Sequence, residues 1–306
     1  MKRFKSLSAL FLALILAFSL SVPAFAATGN NTITSIKYNT ESFTITPYTY
    51  TGDDGESFKA YSCHLESANV NNSVLANMPL TVTYSGGTLK NGTTTYTGGG
   101  TVTTYVNVIN RVAALTLTST NGVTETYYIS AWKTGTTFYA SVSVEFDTAY
   151  AFSQTAVNTK YKGANTTQNP YMQVTTATQK TTAQSAYDNT KDAFNGSTSA
   201  TYSGLSYGYT AADIITQICN AKGVYISNSS GYISQIGALN QDTAGQYVHP
   251  QWGGPYGSGG WMFKVLRGSD EVYPSISAGS FVLMPGDVVT WQYTADVGYD
   301  LGAPMF

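Results

Sequence analysis

Charged side chains are scarce in this chain of 306 residues, in which Asp, Glu, Lys and Arg together make up 10% of the sequence. A typical globular protein has about 25%. This low content excludes a disordered chain solvated by charge and a coiled coil, because both depend on charged residues. The 15 Lys and Arg residues are balanced by 17 Asp and Glu residues. Since contacts to nucleic-acid phosphates need a basic surplus, we expect no nucleic-acid partner.

Cysteine is also rare, and metal-binding spacings are missing. The chain has two cysteines, Cys63 and Cys219, which are too few for a disulfide framework, so we expect two unpaired thiols. Its two histidines, His64 and His249, form no H-E-x-x-H or related pattern. The sequence therefore predicts no metal site and no required cofactor.

The only long apolar run lies at the N-terminus. Three basic residues precede an apolar stretch from Leu7 to Val22, and residues 24–26 read Ala-Phe-Ala. This pattern predicts a cleaved signal peptide over residues 1–27 and a secreted, extracellular or cell-surface protein; an uncleaved membrane anchor is the alternative. No later run approaches the ~18 apolar residues of a transmembrane helix, so we expect no membrane span in the mature chain.

The first half of the mature chain has the pattern of an all-β domain. Residues 31–134 contain short runs of alternating apolar and polar residues separated by turn signals, which predicts a β-sandwich. The dipeptide Asn121-Gly122 predicts a type I′ hairpin turn. The hairpin from Leu115 to Ser130 resembles the last hairpin of bacterial cadherin-like β-sandwich modules, and the resemblance implies a spacer or adhesive role.

The second half predicts an α+β domain of β-grasp type with one helix, over residues 136–303. Apolar residues alternate from Phe138 to Phe146 and recur at helical spacing from Thr210 to Lys222. Further strands are predicted at Trp261–Leu266 and Val288–Thr294. Residues 153–200 lose periodicity and predict a polar surface insertion, with one weak helix around residues 182–194. The fold class is therefore mainly β, a sandwich followed by a small mixed domain.

A group of aromatic residues near the C-terminus is the strongest candidate for a binding surface. The loop from His249 to Gly260 is rich in glycine, and rings with a polar tip suit a flat apolar ligand or a sugar face. Phe263 and Trp291 are the aromatic residues that we assign to the core. The predicted ligand-binding residues are Trp252, Tyr256, Trp261, Tyr273 and Tyr293.

Several segments of the last quarter resemble one known family. They are Gly260 to Val265, Tyr273-Pro274, Ala278 to Leu283, Pro285 to Thr294 and Asp296 to Gly302. Together they resemble the transcobalamin-like C-terminal domain, a small domain of many exported bacterial proteins. The resemblance implies a surface that packs against one face of a corrinoid, so cobalamin or another corrinoid is the first ligand to consider.

These observations predict an exported, non-catalytic binding protein for a small molecule. A cell-surface structural or adhesive protein that binds glycan or another protein is the alternative. A hydrolase is a more remote one, because residues 204–208 match G-x-S-x-G with Ser206 in the nucleophile position. The stretch before Ser206 is polar, whereas a nucleophile elbow follows an apolar strand, so a surface turn is the preferred interpretation.

Overall fold

The computed structural model describes residues 31–51, 57–149, 177–240, 246–249, 254–257, 260–294 and 301. The fold is mainly β, as the sequence predicts. The predicted signal peptide, residues 1–27, lies outside the described residues. Within the described part, no helix is both long enough and apolar enough to cross a membrane.

The N-terminal part is a sandwich of β-strands. Its elements are β1 (Ile33–Tyr38), β2 (Glu41–Ser42), β3 (Thr44–Thr51), β4 (Ser57–Ser67), α1 (Asn72–Ala76), β5 (Met78–Tyr84), β6 (Thr88–Asn91), β7 (Thr94–Thr97), β8 (Gly100–Val106), β9 (Ala113–Thr118) and β10 (Thr124–Lys133). One sheet has the order β2-β1-β5-β8. Alternate residues of its strands, such as Leu80 and Val82, pack against Leu115 and Leu117 of the other sheet. The alternation in the sequence is therefore the burial pattern of this core.

The C-terminal part combines strands with two helices. Its elements are β11 (Phe138–Glu145), α2 (Ala177–Phe194), β12 (Ser199–Leu205), α3 (Ala211–Lys222), β13 (Ile226–Ser229), β14 (Tyr232–Ile236), β15 (Leu239–Asn240), β16 (Gln246–His249), β17 (Gly254–Gly257), β18 (Gly260–Arg267), β19 (Asp270–Pro274) and β20 (Val288–Thr294). Helix α3 begins with the expected capping box between Thr210 and Asp213 and ends at Gly223 in the left-handed conformation. Its apolar stripe lies in the core.

One sheet of eleven strands runs through both parts, in the order β12-β11-β20-β18-β19-β3-β4-β10-β9-β6-β7. Strand β11, which the alternation from Phe138 to Phe146 predicts, lies parallel to β20, and β20 lies antiparallel to β18. The two parts meet where β19 pairs with β3 through Tyr273 opposite Thr51 and Pro274 opposite Tyr50. The division at about residue 135 stays a prediction.

Helix α2 is longer than the weak helix expected for the polar insertion, and one face of its C-terminal half is buried in the core. Ala186, Thr190 and Phe194 are buried, and the Phe194 ring stacks on that of Phe146 at 6.1 Å. Thr190 accepts a hydrogen bond from the Ala238 N–H. A polar residue thus occupies the middle of the buried stripe, which is why the apolar pattern underestimates this helix. The first part of the predicted insertion lies outside the described residues.

The turn between β9 and β10 differs from the predicted type I′ turn. Gly122 has φ 88°, whereas Asn121 is not among the residues with positive φ. The Gly122 N–H donates to the Ser119 carbonyl and the Ser119 N–H to the Val123 carbonyl. These bonds define a three-residue hairpin loop, a type I turn followed by a left-handed glycine. The prediction of a hairpin is confirmed and that of its turn type is wrong, because one extra residue in the loop relaxes the need for positive φ at Asn121.

Candidate functional site

An open groove lined with rings lies in the C-terminal part. Its volume is about 180 Å³, and we call it the aromatic groove. Its walls come from the start of β14, from β18, from the segment after β19 and from one residue of β20. The lining residues are Gly231, Tyr232, Ile233, Trp261, Met262, Phe263, Pro274, Ile276, Ser277, Ala278 and Trp291.

One wall is the tip of the β13–β14 hairpin. Ser230 and Gly231 have φ values of 52° and 87°, so both loop residues have the positive φ of a two-residue type I′ turn. A Cβ at Gly231 would lie 2.3 Å from the Cα of Gly279, so the two glycines are in backbone contact. This contact holds the hairpin against the segment after β19. It places Tyr232 at the rim of the groove with 62% of its surface exposed.

The floor of the groove is held rigidly by two stacked rings. Phe263 lies 5.3 Å from Trp291 with 29° between the ring planes. Trp291 is 2% exposed, and its indole N–H donates to the Ala211 carbonyl at the start of α3. The sequence prediction that Trp291 belongs to the core is confirmed. Phe263 is half-buried, because one of its sides contributes to the groove.

Among the predicted ligand-binding residues whose side chains the structure describes, Trp261 is the one that lines the groove. Its indole N–H donates to the Leu239 carbonyl at 3.0 Å, and its ring meets Tyr293 edge to face at 5.4 Å. Both contacts fix the orientation of a half-buried ring. A ring that is already ordered loses little conformational entropy when a ligand stacks on it.

The described lining of the groove carries no charge. No Asp, Glu, Lys, Arg or His is among the described residues that line it, and the polar groups of their side chains are hydroxyls and the indole N–H groups. A charged ligand group would lose hydration there without gaining an ionic partner, which is costly. The groove therefore favours an uncharged surface with a flat face.

Of the other predicted site residues, Tyr273 and Tyr293 do not line the groove, and the side chains of Trp252 and Tyr256 are not described. Tyr293 is fully buried and its hydroxyl donates to the Asn240 carbonyl; Tyr273 is 6% exposed and its hydroxyl donates to the Gln292 side chain. Both tyrosines pack behind the groove rather than facing it. Tyr256 lies on β17, opposite Tyr247, and its side chain is not among the described ones. Trp252 lies outside the described residues.

Sequence analysis missed Tyr232 as a rim residue. The Ser230-Gly231 dipeptide is a hairpin signal that could have placed Tyr232 just after a turn. Nothing in the local pattern shows that this turn packs on Gly279, since the two segments are distant in the chain. The close contact of the two glycines is what brings Tyr232 to the groove.

The G-x-S-x-G match forms a turn that packs through its tyrosine. Ser206 follows β12, an antiparallel edge strand, and α3 begins only at Ala211, so strand and helix are not joined directly as in a nucleophile elbow. The neighbouring Tyr207 stacks on His64 at 3.9 Å. His64 lies beside Trp132, with 11° between their planes. Burial lowers the pKa of His64, which favours its neutral form.

Neither the cysteines nor the acidic residues form a second site in the part of the chain that the structure describes. Cys63 and Cys219 are both buried and free, which confirms the prediction of unpaired thiols. Burial raises the pKa of both thiols, that of Cys219 to about 12, so neither is a reactive thiolate at neutral pH. No group of His, Cys, Asp and Glu residues among those described could hold a metal ion.

No family model, no curated protein and no solved structure matches this chain.

Proposed function

We propose that this chain is an exported, non-catalytic binding protein whose aromatic groove receives the flat, uncharged face of a ligand. The observation that carries the proposal is the groove itself, in which Trp261 and Phe263 are fixed by a hydrogen bond and a ring stack while one side stays accessible. Immobilised rings at an open groove are typical of binding sites. Export is inferred from the signal-like pattern of residues 1–27.

A corrinoid such as cobalamin is the first ligand to test, because the segments between residues 260 and 302 resemble the transcobalamin-like domain. A groove of about 180 Å³ has room for one edge of such a macrocycle. The ligand would therefore lie across the rim and contact Tyr232. The uncharged lining suits the apolar edge of a corrin ring.

A cell-surface protein that binds glycan is the second candidate. It is supported by the same ring-lined surface, since a sugar ring presents a face of C–H groups that packs on aromatic rings. Its hydroxyls can find partners at the hydroxyl of Tyr232 and at Ser277. The two candidates differ in the ligand that fills the groove rather than in the groove that is used.

The two candidates are tested by titrating the protein with cobalamin, with cobinamide and with neutral oligosaccharides. Corrinoid binding is followed by the visible spectrum of the ligand, and sugar binding by tryptophan fluorescence. Tyr232→Ala should weaken binding by roughly 1–3 kcal/mol, as expected for a partly exposed aromatic anchor. The matched control is Tyr225→Ala, because Tyr225 is also 62% exposed but does not line the groove.

Binding of a corrinoid that Tyr232→Ala weakens and Tyr225→Ala does not would support the first candidate. Binding of oligosaccharide alone, with the same dependence on Tyr232, would support the second. Equal effects of the two substitutions, or no binding of any of these ligands, would contradict a binding role for the groove.

A further inference from the structure

The edge strand β12 offers an open row of backbone hydrogen-bonding groups. It is the terminal strand of the eleven-stranded sheet and pairs on one side with β11. Adjacent to this pairing, the Val144 N–H donates to the Thr198 carbonyl. In an antiparallel pair every second residue points its backbone groups at the neighbouring strand. Ser199 and Thr201 therefore turn their N–H and C=O groups away from β11, and within the described residues these groups form no hydrogen bond.

From Ser199 to Tyr202, the described part of the chain shows none of the features that usually protect a sheet edge. Such edges are normally blocked by charged side chains, by proline, by a bulge or by a covering segment. Residues 199–205 read Ser-Ala-Thr-Tyr-Ser-Gly-Leu, with no charge and no proline. The irregularity in the pairing of β12 with β11 is one extra β12 residue between Tyr202 and Leu205, opposite Phe138 and Ala140, and the segment from Ser199 to Tyr202 pairs regularly.

The opposite situation is found at β8, the edge strand of the four-stranded sheet. There the Asn91 side chain donates to the Tyr105 carbonyl at 2.8 Å, and the Tyr96 hydroxyl donates to the Thr103 carbonyl at 3.2 Å. Side chains from β6 and β7 thus occupy carbonyls along that strand. Side chains therefore block the long uncharged edge at β8, whereas no described side chain does so at Ser199 and Thr201 of β12, although both edges need the same protection.

We infer that β12 pairs antiparallel with β12 of a second copy of this chain, so that the eleven-stranded sheet continues across a two-fold axis. With Ala200 on the axis, Ser199 lies opposite Thr201 of the second copy. The N–H and C=O groups of both residues, which point away from β11, then form hydrogen bonds between the two copies. A strand without charge meets no repulsion from its own copy, and an isologous contact of this kind closes after two chains. Ala200 and Tyr202, which are half-buried against the core, gain burial on the inner face.

The dimer is expected to be weak. Pairing through one strand of seven residues buries less than the ~1,600 Å² of a standard stable interface. The contact therefore depends on backbone hydrogen bonds rather than on a large apolar area. Substitutions that remove an outward N–H should abolish it, while substitutions that change only a side chain should not.

The test is sedimentation of the purified full chain from about 10 μM to about 1 mM, the range in which a contact of less than standard size is expected to form. Wild type should shift from monomer to dimer as concentration rises. Thr201→Pro removes an outward N–H without breaking a bond to β11, so it should stay monomeric with unchanged circular dichroism. The control Thr201→Val also loses the Thr201 hydroxyl, which lies 2.8 Å from that of Ser141, but it keeps the backbone donor and should dimerise like wild type.

A wild-type chain that stays monomeric throughout this range would overturn the inference. So would a Thr201→Pro variant that dimerises as wild type does, since the contact would then use another surface. The outcome is independent of ligand binding, because the aromatic groove contains no residue of β12.

Discussion

Replacing Asp287 by asparagine is expected to destabilise the protein strongly, because it leaves a buried positive charge without its counter-ion. The Arg267 guanidinium contacts the Asp287 carboxylate through two hydrogen bonds of 3.1 and 2.7 Å, and both side chains are fully buried. Burial opposes the charge on Arg267, but the charge of Asp287 outweighs this effect and raises its pKa above the ordinary value. Because arginine is not deprotonated in proteins, Arg267 stays charged in the variant.

The size of the effect follows from the surroundings of Arg267. Its remaining partners are the Ser62 hydroxyl and the Val282 carbonyl, both at 2.8 Å, and the rings of Phe281 at 4.5 Å and Tyr48 at 5.7 Å. None of these groups carries a negative charge. Breaking a buried ion pair by removing one partner costs about 3–5 kcal/mol, a large part of the 5–15 kcal/mol by which a typical domain is stable.

The measurement is urea unfolding followed by circular dichroism, with the free energy of unfolding taken from the midpoint and the slope. The matched control is Lys264→Ala, which removes an ion pair of 3.0 Å between Lys264 of β18, the strand that also carries Arg267, and Glu271 of β19. That pair is partly exposed, so its loss should cost less than about 1 kcal/mol. In the Asp287→Asn background, Arg267→Met removes the uncompensated charge and should recover part of the loss. An Asp287→Asn variant within about 1 kcal/mol of wild type would refute this account.

Three further predictions concern single residues. Gly231→Ala should lower the melting temperature far more than Gly196→Ala: both residues have positive φ, but only the Cβ at position 231 meets backbone atoms within 4 Å. Burial lowers the pKa of His64, so the unfolded protein binds a proton at this residue at a higher pH than the folded protein does. The free energy of unfolding should therefore fall as the pH drops below about 6.5, and His64→Gln should reduce this pH dependence in unfolding curves. Cys63 and Cys219 should be alkylated only after denaturation, as read by mass spectrometry; labelling of the native protein would contradict their burial.

Local patterns in the sequence predict the elements of this fold well. The capping box at Thr210 and Asp213 and the terminal Gly223 predict α3 almost to the residue, because helix ends depend on neighbouring side chains. The alternation from Phe138 likewise predicts β11. Two strand pairings could not be predicted, the parallel pairing of β11 with β20 and the pairing of β19 with β3. The pattern of apolar residues within a strand does not indicate which distant strand it pairs with.

The candidate site was only partly predictable for a related reason. The sequence predicts Tyr293 of β20 as a ligand-binding residue and Trp291 of the same strand as a core residue. Trp291 and Tyr293 are buried on one face of β20, however, and Gln292 and Thr294 are buried on the other. Of these two rings, Trp291 contributes to the floor of the groove and Tyr293 serves as packing, while the exposed rim is formed by Tyr232 on a separate hairpin.

The few charged residues of this chain help to hold its two parts together. Arg267 reaches from β18 to Ser62 on β4, and Tyr128 of β10 donates a hydrogen bond of 2.7 Å to Asp270 on β19. Three of the few charged residues thus lie at or beside the contact between the N-terminal sandwich and the C-terminal strands, namely Arg267, its ion-pair partner Asp287, and Asp270. Charged groups that are buried cost free energy unless they are paired, so they tolerate only the arrangement that pairs them. The two parts are therefore expected to unfold together in wild type, and the loss of Asp287 should weaken that coupling as well as the total stability.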